Sequence, residues 1–185
     1  MHDAEVVVRG PLTGEGAPAE GIMRALPDWF GIETAIVDYA RAVDELPTFV
    51  AKAGARIVAF VTLKPTSAFA TELHVMGVLP AWQRRGVGRA LVERAAAYAR
   101  EEGFAFLHVK TLAPSDPYPP YATTRAFYAA AGFVPLEELP QVWGPENPCL
   151  IMVRVLTWPA PAARTRARRV LCRAGRGRPG ARRPW

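Results

Sequence analysis

The fold is decided by the stretch Val78-Leu-Pro-Ala-Trp-Gln83-Arg84-Arg85-Gly86-Val87-Gly88-Arg89. A strand pattern precedes it, from about residue 70 to 78, and a helical pattern follows it, from 86 to 102. Helix N-termini expose unpaired backbone N–H groups and carry partial positive charge. The two glycines let a phosphate approach the backbone closely, and the three arginines add full positive charges. The stretch therefore predicts a diphosphate-binding turn, with a plain strand-to-helix turn as the alternative.

Two common diphosphate motifs do not match this turn. A P-loop needs Lys-Ser/Thr after its last glycine, where the hydroxyl binds magnesium, but Arg89-Ala90 stands there. A dinucleotide fingerprint needs a small residue three positions after Gly88, where this chain has Leu91. It also needs an acidic residue about 20 positions further on, and none is suitably placed. ATP with magnesium and a dinucleotide are therefore both disfavoured.

The remaining pattern, Gln-x-x-Gly-x-Gly after a strand, resembles the phosphate-binding segment of the GNAT superfamily of N-acetyltransferases. A second family landmark follows in family order and spacing: Thr124-Arg125-Ala126-Phe127-Tyr128-Ala-Ala-Ala-Gly132-Phe133. The resemblance covers residues 50–157 well and 1–49 loosely, and points to a bacterial branch without an assigned substrate. It implies a mixed α/β fold, with a twisted, mostly antiparallel sheet whose central parallel strand pair is splayed and flanked by helices.

The resemblance also implies a co-substrate and a reaction. Acetyl-CoA would bind through the backbone amides of the turn, and no metal is expected. The acetyl group would pass directly to a primary amine without an acyl-enzyme, because neither Cys149 nor Cys172 is placed as a nucleophile. The predicted cofactor-binding residues are Met76, Val78, Gln83, Arg84, Arg85, Gly86, Val87, Gly88 and Arg89.

Amine acetylation needs a base for the ammonium and an acid for the departing thiolate. The base predicted is Glu72, eleven residues before Gln83, as in the histone-acetyltransferase branch of the family. Strand alternation places Glu72, His74, Met76 and Val78 on one face, and an apolar strand predicts a raised pKa for the carboxyl. The alternatives are an edge carboxylate facing solvent, and His74 as the base.

The acid predicted is Tyr128, at the position where the family often uses a tyrosine. The alternative is a core aromatic in a helical stripe with Phe127 and Ala131. The family often has an asparagine a few residues earlier, where this chain has 123–125 (Thr-Thr-Arg), so that cofactor contact is open. Three further aromatic residues are candidates either for the acceptor site or for plain surface positions: Tyr118, Tyr121 and Trp143.

Charge divides the chain into a domain, 1–157, and a tail, 158–185. The tail carries nine arginines and no acidic residue, so the net charge of +6 becomes −3 without it. Its Arg, Pro and Gly content predicts a disordered, dispensable segment, with an arm for nucleic acid or anionic membrane as the alternative. No apolar run approaches the roughly 20 residues of a membrane span, and the acidic start is unlike a signal peptide, so a cytoplasmic location is expected.

The acceptor is expected to be an amine-bearing small molecule or protein, and the sequence does not name it. A homodimer stays open, a membrane partner is not expected, and nucleic acid is not the expected partner. Two other classes of function remain. One is a catalytically inactive regulator that binds acyl-CoA, and the other is a protein that binds nucleic acid through its tail.

Residue periodicity predicts the remaining elements. Strand–helix–strand around 70–110 predicts a parallel pair with a right-handed crossover. A hairpin is expected to turn at Gly54, and Gly103 and Gly132 are expected to end helices. The predicted strands are 5–8, 48–53, 56–63, 70–78, 104–110, 133–137 and 149–156, the helices are 20–30, 33–45, 86–102 and 121–131, and the loops are 10–21 and 113–120.

Overall fold

The structure is a computed structural model that describes residues 5–144 and 146–157. The predicted tail, 158–185, lies outside the described residues. The strands are β1 (Val6–Leu12), β2 (Thr48–Ala53), β3 (Arg56–Pro65), β4 (Ala70–Val78), β5 (Phe106–Leu112), β6 (Val134–Leu139) and β7 (Cys149–Val155). The helices are α1 (Gly16–Arg24), α2 (Glu33–Glu45), α3 (Val87–Glu101) and α4 (Pro119–Ala130).

The strands form one seven-stranded sheet in the order β1-β2-β3-β4-β5-β7-β6. Within it β4 and β5 are parallel, and every other neighbouring pair is antiparallel. One core cluster lies between the sheet and α3 and α4, with Leu91 and Tyr128 among its members. A second cluster joins the sheet to α1 and α2, through Met23 and Val43. The predicted mixed α/β class is confirmed.

The parallel pair separates part-way along its length. Pairing between β4 and β5 runs from Ala70↔Phe106 to Leu73↔Val109 and then stops. Both strands continue beyond that point, β4 to Val78 beside β3 and β5 to Leu112 beside β7. The facing edges of the two strands are therefore free of strand partners there, as predicted for a splayed central pair.

A β-bulge in β4 corrects the predicted face of its residues. Thr62 pairs with Val75, yet the next residue of β3 pairs with Leu73, so His74 is an extra residue in β4. A one-residue shift moves every later side chain to the opposite face. Met76 and Val78 accordingly pack with the core cluster under α3, whereas His74 contacts Tyr39 of α2. The prediction that these residues share one face with Glu72 was therefore wrong for Met76 and Val78.

The N-terminal region departs from prediction in two places. The predicted loop 10–21 was wrong, because β1 continues to Leu12, paired with Thr48, and α1 already begins at Gly16. Asp44 anchors that start by accepting a hydrogen bond from the Gly16 N–H at 2.7 Å. The predicted helix 20–30 ends earlier, at Arg24. The hairpin turn at Gly54 is confirmed by its φ of +60°.

Candidate active site

A cavity of about 550 Å³ lies where β4 and β5 part. Its walls come from β4, from the turn after it, from β5 and from the inner face of α4. Both faces of the sheet contribute, since Phe30 and Tyr39 of the α1–α2 layer line it together with Phe127 and Tyr128 of α4. The gap in the sheet is thus a passage from one helical layer to the other.

The turn after β4 presents the N-terminus of α3 to this cavity. The Gln83 side-chain amide donates a hydrogen bond to the Val78 carbonyl at 3.0 Å, which ties the turn to the strand end. Arg84 and Gly86 have left-handed backbone conformations, with φ of 61° and 78°. Gly86 is the N-cap residue, and no side chain caps the helix. The first-turn N–H groups of α3 therefore remain free for an anion.

Most predicted cofactor-binding residues line the cavity: Met76, Val78, Gln83, Arg84, Gly86, Gly88 and Arg89. Val87 and Arg85 do not. The Val87 side chain is buried in the core, and the Arg85 guanidinium lies 5.4 Å from the centre of the Trp82 ring. The Val87 backbone N–H remains a candidate contact, because the N–H groups of a helix's first turn have no partner within the helix.

Gly88, in the first turn of α3, lies close to side chains of β4 and α4. A Cβ atom on Gly88 would lie 3.2 Å from Met76 Cε and 3.3 Å from the Phe127 ring. Both neighbours are cavity-lining side chains. The glycine therefore keeps open the space between strand β4 and helix α4.

Glu72 lies on the α2 side of the sheet and is only 6% exposed, so it does not face solvent as an edge residue would. Lys110 Nζ donates a hydrogen bond to its Oε1 at 3.0 Å, and His74 Nδ1 lies 3.9 Å from its Oε2. Burial acts to raise the pKa of Glu72, but the interactions with His74 and Lys110 outweigh it, and the pKa falls below its usual value. The predicted raised pKa was therefore wrong.

Tyr128 lies on the other side of the sheet, in α4. Its ring packs against Phe127 and Phe133, with centroids 5.2 and 5.6 Å away, and the residue is 8% exposed. Its hydroxyl has no hydrogen-bond partner within 5–144 and 146–157. Burial raises the pKa of Tyr128 well above its usual value, so the phenol stays protonated. The residue is both a core aromatic and a protonated donor at the cavity wall.

Three polar residues at the cavity went unnoticed in the sequence: Lys64, Lys110 and Thr111. The Thr111 Oγ1 atom is buried and forms no hydrogen bond with any residue of the part that the structure describes. No local motif signals these residues, because they reach Glu72 or the cavity only through the pairing of three strands. The parallel register, with Glu72 opposite His108, is what brings Lys110 within reach.

The other sequence candidates divide between the cavity and its surroundings. Tyr121 and Trp143 line the cavity. Tyr118 instead donates a hydrogen bond to Asp28 at 3.3 Å. Thr124, near the position of the family's asparagine, lines the cavity but accepts a hydrogen bond from Trp29 Nε1 at 3.0 Å. Thr124 thus supports the α1–α2 loop as well as the cavity wall.

Two larger features are missing from the part of the chain that the structure describes, a membrane-spanning helix and a cluster of metal ligands. No helix there is both long enough and apolar enough to cross a membrane. No group of three or more His, Cys, Asp or Glu side chains there could hold a metal ion.

Solved structures share this fold. A protein of the GNAT family from Desulfovibrio desulfuricans superposes with a TM-score of 0.72 at 21% identity, over 83% of this chain and all of that one. The Salmonella typhimurium protein yncA, solved with its cofactor acetyl-CoA, superposes with a TM-score of 0.61 at 17% identity, over 85% and 99% of the two chains. At these identities the likeness establishes the fold.

Sequence comparison establishes the family. A mycothiol acetyltransferase of Jonesia denitrificans is 41% identical over 85 residues, which are 45% of this chain and 25% of that protein. The chain thus spans a quarter of that relative's length. The model of the acetyltransferase (GNAT) family matches residues 20–133, which include the turn after β4, Glu72 and Tyr128. The chain belongs to the acetyltransferase (GNAT) family.

Proposed function

We propose that this chain transfers an acetyl group from acetyl-CoA to a primary amine by direct attack. The observation that carries the proposal is the single cavity that joins the uncapped turn after β4 to Glu72 and Tyr128. The cavity thus connects a place for a diphosphate with a carboxylate and a phenol, the two proton-transfer groups that the reaction needs. Relatives solved with acetyl-CoA or coenzyme A support this choice of co-substrate.

The diphosphate of acetyl-CoA would bind at the N-terminus of α3. Backbone N–H groups from Gly86 to Arg89 would donate to its oxygens, and Arg84 and Arg89 would add charge. The pantetheine arm would then follow the free edge of β4 near Met76 and Val78, where β5 has already turned away. This path brings the thioester to the gap between the strands.

Glu72 and Tyr128 would act from opposite sides of that gap. The Glu72 carboxylate, ionised at neutral pH, takes a proton from the acceptor ammonium directly or through a water molecule. The amine nitrogen then bonds to the thioester carbon, and the carbon–sulfur bond breaks as the tetrahedral intermediate collapses. The thiolate takes its proton from the Tyr128 hydroxyl, which has no hydrogen-bond partner among the described residues. The nitrogen, still protonated after the attack, returns a proton to the Tyr128 phenolate through a water molecule. Glu72 then releases the proton of the ammonium to solvent. No acyl-enzyme forms.

One observation favours the alternative of an inactive acyl-CoA-binding regulator. Glu72 is already held by Lys110 at 3.0 Å, which lowers its basicity. The two functions differ in turnover and agree in cofactor binding. A regulator would bind acetyl-CoA and release no thiol with any amine.

The experiment is a thiol-release assay with acetyl-CoA over amino acids, amino sugars, peptide N-termini and lysine-containing peptides, with product mass as confirmation. A separate thermal-shift measurement with acetyl-CoA reports binding, because a ligand of the folded state raises Tm. Turnover with an amine supports the proposal. A thermal shift without turnover over the whole panel supports the regulator, and absence of a thermal shift overturns both.

A further inference from the structure

The acceptor side of the cavity has an unusual balance of charge for an enzyme that receives a cationic amine. On the α2 side of the sheet, the charged residues that line the cavity are Lys64, Glu72 and Lys110, two lysines and one carboxylate. Lys64 lies opposite Glu72 across the β3–β4 pair, and Lys110 contacts Glu72 across the β4–β5 pair. The carboxylate is therefore flanked by cations on both neighbouring strands.

The arginines of the cavity belong to its other end. Arg84 and Arg89 follow the end of β4 at Val78, six residues from Glu72, or about 20 Å at about 3.3 Å per residue. In the proposed function these two arginines bind the diphosphate of acetyl-CoA. The two lysines near Glu72 do not, so the acceptor side carries a cationic excess of its own.

The pair between Glu72 and Lys110 is mostly removed from water, with side-chain exposures of 8% and 29%. Breaking a buried pair by leaving one charge uncompensated is costly. If the ammonium of the acceptor paired with Glu72 in place of Lys110, the charge of Lys110 would be left uncompensated. An acceptor that also brings an anionic group would replace both partners at once, ammonium to Glu72 and anion to Lys110.

Lys64 strengthens the same conclusion. It is exposed, lines both this cavity and the groove that continues outward along α2, and forms no ion pair with any described residue. Within the described residues neither acidic residue of that groove neutralises Lys64: Asp38 pairs with Arg41 instead, and Glu45 forms no ion pair. A second cation remains for an anion bound beside Glu72.

We infer that the acceptor is a small amino acid, with its reacting amine at Glu72 and its carboxylate at Lys110 and Lys64. This inference rests on the proposed function. The short separation of Lys110 Nζ and Glu72 Oε1, 3.0 Å, fits an acceptor whose amine and carboxylate are only a few bonds apart. Polycationic amines such as polyamines and aminoglycosides are disfavoured, because two nearby lysines repel them. The side chain would lie among Phe30, Tyr39 and Tyr121.

The test compares acceptors that differ only in the anionic group. Aromatic, aliphatic and acidic amino acids are each assayed beside their carboxamide and their decarboxylated amine, with the full chain, acetyl-CoA and thiol release. We expect kcat/KM to be at least tenfold higher for the amino acid than for either neutralised form. The carboxamide has the less basic amine and more of it is unprotonated at neutral pH, so a preference for the acid would arise in the site.

Two variants test whether the preference for the amino acid over its carboxamide arises from Lys110 and Lys64. In Lys110→Gln and in Lys64→Gln the ratio of kcat/KM for acid over carboxamide should fall at least several-fold. The ratio is unaffected by the fraction of folded enzyme, so partial destabilisation does not obscure it. Lys52→Gln, on β2 and outside the cavity lining, is the matched control and should keep the parental ratio.

The possible results distinguish a failure of the amino-acid inference from a failure of the proposed acetyltransferase function. Acetylation of decarboxylated amines or carboxamides at rates equal to the amino acids overturns the inference and leaves the acetyltransferase intact. A preference that survives in both lysine variants also overturns it. No turnover with any amine despite an acetyl-CoA thermal shift overturns the inference together with the proposed function.

Discussion

Lys110 donates a hydrogen bond from Nζ to Oε1 of Glu72 at 3.0 Å, across the parallel strand pair. Glu72 is opposite His108 in the register, so Lys110 stands two residues further along β5, on the same face. The strands pair no further than Leu73↔Val109. The ion pair therefore lies at the point where sheet pairing ends and the cavity begins, and it sets the electrostatics of the proposed base.

The first prediction concerns the pH profile of Lys110→Met. The pKa of Glu72 is held below its usual value by His74 and Lys110 against the effect of burial. Removing Lys110 leaves burial in place, so the pKa of Glu72 should rise. The acid limb of kcat/KM should move to higher pH, because protonated Glu72 cannot act as a base. Lys52→Met is the control, and an acid limb at the parental position would contradict the base role.

The same pair makes a prediction for acid stability. A carboxyl whose pKa is lowered on folding stabilises the native state above its unfolded pKa, near 4.5, and that contribution is lost as pH falls through the folded pKa. The difference in Tm between the parent and Lys110→Met should therefore be largest at neutral pH and shrink as the pH falls below about 4.5. Thermal unfolding at several pH values measures it. A difference in Tm independent of pH would mean that the lysine stabilises by packing alone.

Glu72→Gln should lower turnover at neutral pH by at least about tenfold, since positioned proton transfer is typically worth about 10²–10⁴ in rate. Activity should recover in part at high pH, where more of the acceptor amine is already free. Glu101→Gln, exposed on α3, is the matched control and should behave as the parent. A parental rate and pH profile in Glu72→Gln would transfer the role to His74 or to solvent.

Tyr128→Phe removes only the hydroxyl and should keep the packing against Phe133. Turnover should fall at least about tenfold while acetyl-CoA affinity changes little, because the lost interaction acts on the departing thiolate. The raised pKa of Tyr128 keeps the phenol protonated, so its loss should be felt across the neutral and alkaline range. The control is Tyr98→Phe, which alters an α3 tyrosine outside the cavity lining. A silent Tyr128→Phe variant, with chemistry shown to be rate-limiting, would remove Tyr128 from the mechanism.

Gly88→Ala should weaken acetyl-CoA binding at least about tenfold. The added methyl would press on Met76 and the Phe127 ring at 3.2 and 3.3 Å and narrow the space between β4 and α4. The thermal shift with acetyl-CoA should shrink accordingly. Gly21→Ala, in α1 with open space around its Cβ, is the matched control and should bind as the parent. Parental affinity in Gly88→Ala would mean that the co-substrate does not pass between these elements.

The order of the elements from β2 to β7 could be read from the sequence because its signals are local. Gly54, Gly103 and Gly132 all adopt positive φ where the pattern places turns or helix ends. The first 30 residues were less predictable. Gly and Pro content predicted a loop at 10–21, but pairing of β1 with β2 carries the strand to Leu12 and packing begins a helix at Gly16. Tertiary contacts outweighed the local preference there.

The candidate site divides in the same way. The sequence by itself determined the turn after β4, its glycines and the position of Tyr128, because backbone N–H groups at a helix start and a helical stripe are properties of neighbouring residues. Only the tertiary structure decided that a bulge at His74 turns Met76 and Val78 to the other face from Glu72. It alone decided that Lys110 neutralises Glu72 and that Arg85 stacks on Trp82. Strand register, bulges and ion pairs depend on residues far apart in the chain, and no local pattern encodes which of them will meet.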